Sequence, residues 1–191
     1  GHFTLAANNV LKILVGQQGG TGSSSSEKAG GGGGGSFVHN ASTNSPLIVS
    51  AAGNGENWNS FNTNGPDGLT SNNGTTSGGS VGGRGSGGGG FSSNGANYSS
   101  STGGLSFTNG GVGGLKFDTG YADGGFGGGG GSRFEGGGGG GYHGGKASDV
   151  NQYNTSFPHY GAGSYNSGTN QNNSAGVNVG HGKVVITFLS N

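Results

Sequence analysis

Apolar residues concentrate in three short regions of the chain, and each region has the pattern of a β-strand. They are rich in β-branched residues and are bounded by turn-forming residues. Because they are almost continuously apolar, we expect both faces of these strands to be buried. No window repeats with a helical period, and glycine is too frequent for an α-helix. The regions are residues 3–5 and 10–15, joined by a predicted turn at Asn8 and Asn9, then 46–52, and finally 183–189.

Runs of consecutive glycine occupy much of the remaining sequence, at 30–35, 87–90, 127–131 and 136–141. Glycine-rich sequence is typical of flexible linkers. The alternative is polyglycine II, an extended threefold helix whose backbone groups must bond to neighbouring helices. Aromatic residues favour the second interpretation because they suit a packed element better than a linker. Those beside the runs are Phe91, Phe126, Phe134 and Tyr142.

Together these patterns predict a single glycine-rich domain over residues 1–191. We expect an all-β fold with few strands, near 3–15, 46–52 and 183–189, and essentially no α-helix. A bundle of polyglycine II helices is predicted over residues 30–35 and 78–145. Such a bundle depends on backbone hydrogen bonds between helices rather than on side-chain burial.

Composition narrows the set of partners. Of 191 residues 54 are glycine, 26% are hydrophobic and 7% are charged, with seven basic and seven acidic residues. A neutral chain offers no electrostatic attraction for nucleic acid or an anionic membrane. No apolar run approaches the ~20 residues that span a bilayer. We therefore expect no nucleic-acid partner and no membrane insertion. Cysteine is absent, so disulfides and thiolate metal sites are excluded.

No residue pattern indicates catalysis, and we expect a protein that is not an enzyme and needs no cofactor or metal. The acidic residues are scattered singly. Asp118 and Asp123 are close in sequence and could contact a cation, but a solvated loop is the favoured interpretation. The histidines lack metal-ligand spacing, and His181 is predicted to be structural. Glycine motifs of the dinucleotide-binding kind occur here because glycine is so frequent. They indicate a nucleotide site only between a strand and a helix, and no such context is predicted.

Two sets of residues are candidates for surface roles. Five sequons could accept N-linked glycans, although a chain so rich in Asn, Ser and Thr contains about that number by chance. Aromatic residues set among Asn, Ser and Gly could bind a partner, or could instead cap the ends of the glycine bundle. The glycan candidates are Asn40, Asn73, Asn97, Asn154 and Asn172. The aromatic candidates are Trp58, Phe61, Tyr153, Phe157, Tyr160 and Tyr165.

Several motifs occur in an order that is similar to a known family. VLKILVGQQG at 10–19 precedes the six-glycine run, GGF at 124–126 precedes five glycines, and GHGKVVI occupies 180–186. This order resembles the glycine-rich extracellular domain of the anaplastic lymphoma kinase and leukocyte tyrosine kinase receptors, over nearly the whole chain. The resemblance implies a jelly-roll β-sandwich with an inserted polyglycine bundle.

The sequence also departs from the receptor pattern. The receptors' cysteines are absent, and the receptor domain has strands before the equivalent of His2. Such strands would lie upstream in a longer chain or come from a neighbouring subunit by strand addition. Strand addition that does not close on itself produces a fibre. Cytokine binding is therefore not transferred to this chain.

These observations predict an extracellular protein, secreted or on the cell surface, that serves as a self-assembling filament or matrix subunit. The alternative is a binding module, such as a receptor ectodomain or adhesin tip, that recognises a protein or glycan. Ice binding ranks third because the sequence lacks evenly spaced Thr or Ala.

Overall fold

The computed structural model shows an essentially non-helical chain with one small antiparallel β-sheet. Within the residues that it describes, the regular elements are four strands and one 3₁₀ turn, and none is an α-helix. The expected all-β character is confirmed at this level. The elements are β1 (Leu11–Leu14), β2 (Ser36–Asn40), β3 (Ser45–Ser50), the 3₁₀ turn Phe107–Asn109 and β4 (Tyr165–Asn166). The described residues are 1–23, 28–57, 65–71, 77–82, 84–147 and 161–189.

The apolar core is a row of side chains that crosses the whole sheet. The strands pair in the order β1-β2-β3-β4. Leu14 lies opposite Phe37, Phe37 opposite Val49, and Val49 opposite Tyr165. Directly opposed residues share one face of a sheet. Leu14, Phe37 and Val49 are 8%, 1% and 1% exposed, and these three side chains form the buried core.

Aromatic rings cover this core and join it to the glycine-rich region. The Phe107 ring stacks on Phe37 with centroids 5.0 Å apart and on Phe91 at 5.2 Å. Tyr142 stacks on Tyr165 at 4.5 Å. Phe91 follows the glycine run 87–90 and Tyr142 follows 136–141. Two glycine runs therefore end on the sheet, and their flanking rings pack against it.

The glycine run 30–35 is bonded to three other segments by a repeating pattern. Its six backbone amides donate hydrogen bonds of 2.8–3.1 Å, and successive amides donate to different neighbours. The acceptor segment recurs after every third residue. Gly30 and Gly33 donate to Glu56 and Gly53, Gly31 and Gly34 donate to Gly20 and Gln17, and Gly32 and Gly35 donate to Gly130 and Gly127.

The run 136–141 repeats this spacing of three. Its members Gly137 and Gly140 donate to Gly30 and Gly33, and its members Gly138 and Gly141 donate to Ser86 and Gly89. A flexible linker would bond chiefly to water, whereas these amides bond to carbonyls far away in the sequence. Hydrogen bonds between backbone segments thus hold the glycine-rich region together.

Close approach of the segments requires glycine at most positions within them. A Cβ added to Gly32 would overlap the carbonyl oxygen of Gly138, and one added to Gly137 would overlap that of Gly130. The neighbours there are backbone atoms, which cannot rotate away as a side chain can. Small polar side chains form hydrogen bonds with some of the other buried backbone groups. The Oγ of Ser132, for example, donates to the carbonyl of Ala29 or Ala122, at 3.0 and 3.1 Å.

Two of the expected strands are not strands in the structure. Residues 3–5 form no strand, and the nearest pairing is an isolated bridge between His2 and Thr169. Residues 183–189 also form no strand, and their large apolar side chains other than the half-buried Val184 are exposed rather than buried on both faces. Strand formation needs a hydrogen-bonding partner as well as β propensity. Within the described chain, residues 183–189 make no backbone hydrogen bond.

Burial on both faces is also wrong for β1, where Ile13 is 47% exposed. β2 is buried on both faces, whereas the face of β1 that carries Ile13 is open. The sequence-based strands also omitted β2 and β4. The predicted turn does form: Asn9 donates its amide to the carbonyl of Ala6 at 3.2 Å, and Asn8 has a φ of 65°.

We predict that adding a single methyl group inside the glycine bundle is strongly destabilising. Gly32→Ala should lower the free energy of unfolding by about 3 kcal/mol, because its Cβ can be accommodated only if backbone moves. Gly20→Ala is the matched control, since its Cβ would meet the Asp123 carbonyl oxygen at 3.3 Å. Its effect should stay within about 1 kcal/mol. Urea denaturation measures both, and equal effects would contradict the packing described.

Candidate functional site

One edge of the sheet is open and carries exposed apolar side chains. β1 pairs with β2 on one side and with no strand of the described chain on the other. Ala41 donates its amide to the Val10 carbonyl at 2.8 Å. Because antiparallel pairing alternates, the backbone groups of Leu11 and Ile13 then point to the open edge. Val10, Ile13 and Val15 are 59%, 47% and 41% exposed.

A second exposed apolar surface begins just beyond the end of β1. Gly182 donates its amide to the Gly16 carbonyl at 2.8 Å, and His181 accepts the amide of Gln18 on Nδ1 at 3.2 Å. These bonds fix the chain beside the end of β1 and give His181 the structural role expected of it. The chain then continues into residues 183–189, which we call the exposed segment. Its side chains Val185, Ile186, Phe188 and Leu189 are between 59% and 89% exposed.

The aromatic binding candidates are located only in part. Tyr165 lies in β4, where its half-buried ring stacks on Tyr142 and contacts the core. Tyr165 therefore packs both on the sheet core and on the ring that follows the glycine run 136–141. The other five candidates lie outside the described residues: Trp58, Phe61, Tyr153, Phe157 and Tyr160.

The glycan candidates differ in accessibility. Asn40 is 3% exposed; its Nδ2 donates to Asn9 Oδ1 at 2.9 Å, and its Oδ1 accepts the amides of Ser42 and Thr43. A glycan on Asn40 would displace these bonds, so this side chain stabilises the turn after β2. Asn97 and Asn172 are exposed, and Asn97 Oδ1 accepts the Gly103 amide at 2.8 Å. Asn73 and Asn154 lie outside the described residues.

The two acidic residues singled out from the sequence have separate local roles. Asp118 Oδ1 accepts the Gly120 amide at 3.0 Å. Asp123 Oδ1 accepts the Lys116 amide at 2.8 Å, and its Oδ2 lies 4.0 Å from Lys116 Nζ. Among the described residues, no group of three or more histidine or acidic side chains could hold a metal ion.

A cluster of arginine and aromatic side chains was missed by the sequence reasoning. The Arg133 guanidinium lies 4.0 Å from the centroid of Phe117 and 5.1 Å from that of Phe134, and Arg84 lies 5.0 Å from Phe134. Cations over aromatic faces are attracted by the ring quadrupole. Glu135 is buried beside them and accepts the Arg84 amide at 2.7 Å. This cluster lies in the turn that joins the 127–131 and 136–141 runs, where its contacts pack the turn.

An open groove of about 730 Å³ lies between the glycine run 30–35 and residues 174–182. Glycine and small polar residues line most of it, and its charged residues are Lys28, Glu56 and Asp67. Nothing in this lining pairs a nucleophile with a base. The open edge and the exposed segment are therefore the strongest candidates for a functional surface.

No protein-family model matches the chain, and no curated protein is detectably similar to it in sequence. The receptor resemblance stays a prediction that rests on the quoted motifs. The described part of the chain contains no helix that is long and apolar enough to cross a membrane.

We predict that acid destabilises the protein partly through His143. Burial lowers the pKa of His143 below its usual 6.5, and its Nδ1 lies 3.1 Å from Ser77 Oγ. Between pH 6.5 and the lowered pKa, the unfolded chain binds more protons than the folded chain, so stability falls as the pH falls. His143→Gln should reduce the fall in the free energy of unfolding between pH 7 and pH 5. His2→Gln, at an exposed site, is the control, and identical pH slopes for His143→Gln and the parent would refute the assignment.

Proposed function

We propose that this protein is an extracellular, structural, glycine-rich protein that assembles with copies of itself into a filament or matrix. The observation that carries the proposal is the presence, in one chain, of an open sheet edge at β1 and an unpaired apolar segment at 183–189. An exposed apolar edge is a template for pairing with another chain. Proteins that remain monomeric usually cover such edges or charge them, whereas β1 carries one charged residue, Lys12.

We also propose that the glycine runs are polyglycine II helices. This helix has three residues per turn and no internal hydrogen bonds. The threefold recurrence of acceptors along 30–35, and the same spacing along 136–141, support this geometry. Helices bonded to neighbours on several sides would form a stiff block, which suits a load-bearing extracellular subunit.

We further propose that the glycine helices are inserted into a jelly-roll β-sandwich. The four antiparallel strands supply one sheet with a covered face. On the opposite face, Ile13 lies opposite Val38 and Val38 opposite Ile48. Val38 is already buried, at 6% exposure, whereas Ile13 is 47% exposed. A strand from another copy would cover the Ile13 end of this row, as a second sheet of a sandwich would.

A binding module is the second candidate function, and a polar loop favours it. Residues 170–180 are exposed, yet some of their side chains are held by hydrogen bonds. Asn166 Nδ2 donates to Asn173 Oδ1 at 2.9 Å, and Gln171 Nε2 donates to the carbonyls of Asn166 and Gly168. Amide side chains fixed in this way could recognise a glycan or a protein surface.

Electron microscopy of the purified chain, together with size-exclusion chromatography, tests the proposal. We expect regular filaments or sheets, and a species in solution larger than the 18.2 kDa chain. A strictly monomeric particle across a wide concentration range would overturn self-assembly and would favour the binding module.

A further inference from the structure

We infer that the exposed segment, residues 183–189, of one copy adds as a strand to the open edge of β1 in a second copy. This inference rests on the proposed self-assembly and names the contact that produces it. The occupant of the edge is a second copy of this same chain.

The exposed segment has the composition of a buried strand. Its sequence is KVVITFL, with one charge at Lys183 and β-branched residues at four of the seven positions. Alternate side chains of a strand point to opposite faces. Val184, Ile186 and Phe188 would share one face, and Val185, Thr187 and Leu189 the other, so that both faces are largely apolar. Such a strand is stable when neighbours cover it on both sides.

The acceptor edge offers matching groups. The outward N–H and C=O groups of Leu11 and Ile13 would form backbone hydrogen bonds with the incoming strand, as in other cases of strand addition. Ile13 and Val15 lie exposed on one face of the sheet. On the other face, Leu14 ends the buried row that includes Phe37 and Val49. An added strand would therefore extend the core on one face and cover exposed side chains on the other.

The structure favours a second copy over the chain's own β1. The exposed segment begins beside Gly16, two residues beyond the end of β1, and makes no backbone hydrogen bond to β1. Gly180, with φ of 89°, places a turn just before it. Within the described residues, the donor and the acceptor are therefore both unpaired in one molecule, as strand exchange between molecules requires. Because donor and acceptor are different surfaces, the contact is head-to-tail and propagates unless it closes into a ring.

Disulfide trapping tests this contact cleanly because the chain has no cysteine. Ile13→Cys labels the acceptor edge, and Val185→Cys or Ile186→Cys labels the donor. The two donor positions point to opposite faces, so one of them would share a face with position 13. Full-length acceptor and donor chains are mixed under assembly conditions, oxidised, and separated without reductant. Val15→Cys is a second acceptor variant should Ile13→Cys fail to fold.

We expect one donor variant to form a covalent dimer with the acceptor variant, at twice the 18.2 kDa mass of the chain. Val179→Cys, which is exposed but lies before the segment, is the matched control. It should form markedly less covalent dimer with the acceptor variant. In a chain carrying both cysteines, exchange should produce a ladder of covalent multimers.

Three outcomes would overturn the inference. Filaments without this cross-link would leave self-assembly standing and would place its contact elsewhere. Cross-links confined to single chains carrying both cysteines would show that the exposed segment pairs with its own β1. The absence of both filaments and cross-links would reject the inference and the proposed function together.

Discussion

Most amides in the glycine runs donate a hydrogen bond to a different segment of the chain, because an extended glycine run makes few hydrogen bonds within itself. This requirement sets the rest of the structure. Segments have to lie close enough for backbone hydrogen bonds of about 2.9 Å, and a Cβ at Gly32 or Gly137 would prevent that approach. No single run can be stable alone, since its amides would then bond to water. The bundle should therefore form cooperatively.

The sheet and the arginine cluster pack against different ends of the glycine runs. Phe91 and Tyr142 extend from the ends of glycine runs and pack against the sheet core. At another end, Arg133 lies over Phe117 and Phe134. Side-chain burial is thus limited to a few sites, in agreement with a chain that is 26% hydrophobic. Aromatic rings, two of which follow glycine runs, cover one face of the sheet, and no strand of the described chain pairs with the outer edge of β1.

Local sequence properties predicted some of this arrangement and could not predict the rest. β propensity identified the apolar regions that contain β1 and β3, and glycine frequency excluded helices. The same propensity suggested a strand at 183–189, but propensity says nothing about whether a partner is present. β4 is two residues long and is defined by its pairing with β3, Tyr165 opposite Val49 and Asn166 opposite Ile48. The burial of Asn40 and the position of Arg133 depend on contacts distant in sequence, which no local pattern records.

Amide hydrogen exchange measured by NMR is the most direct test of the claim that backbone hydrogen bonds hold the glycine runs. If they do, the amides of residues 30–35 and 136–141 should exchange together, at the slow rate set by global unfolding. The strands β2 and β3 should show the same protection. Rapid exchange throughout the glycine runs, with the strands still protected, would contradict the account and would show that the runs are flexible connections.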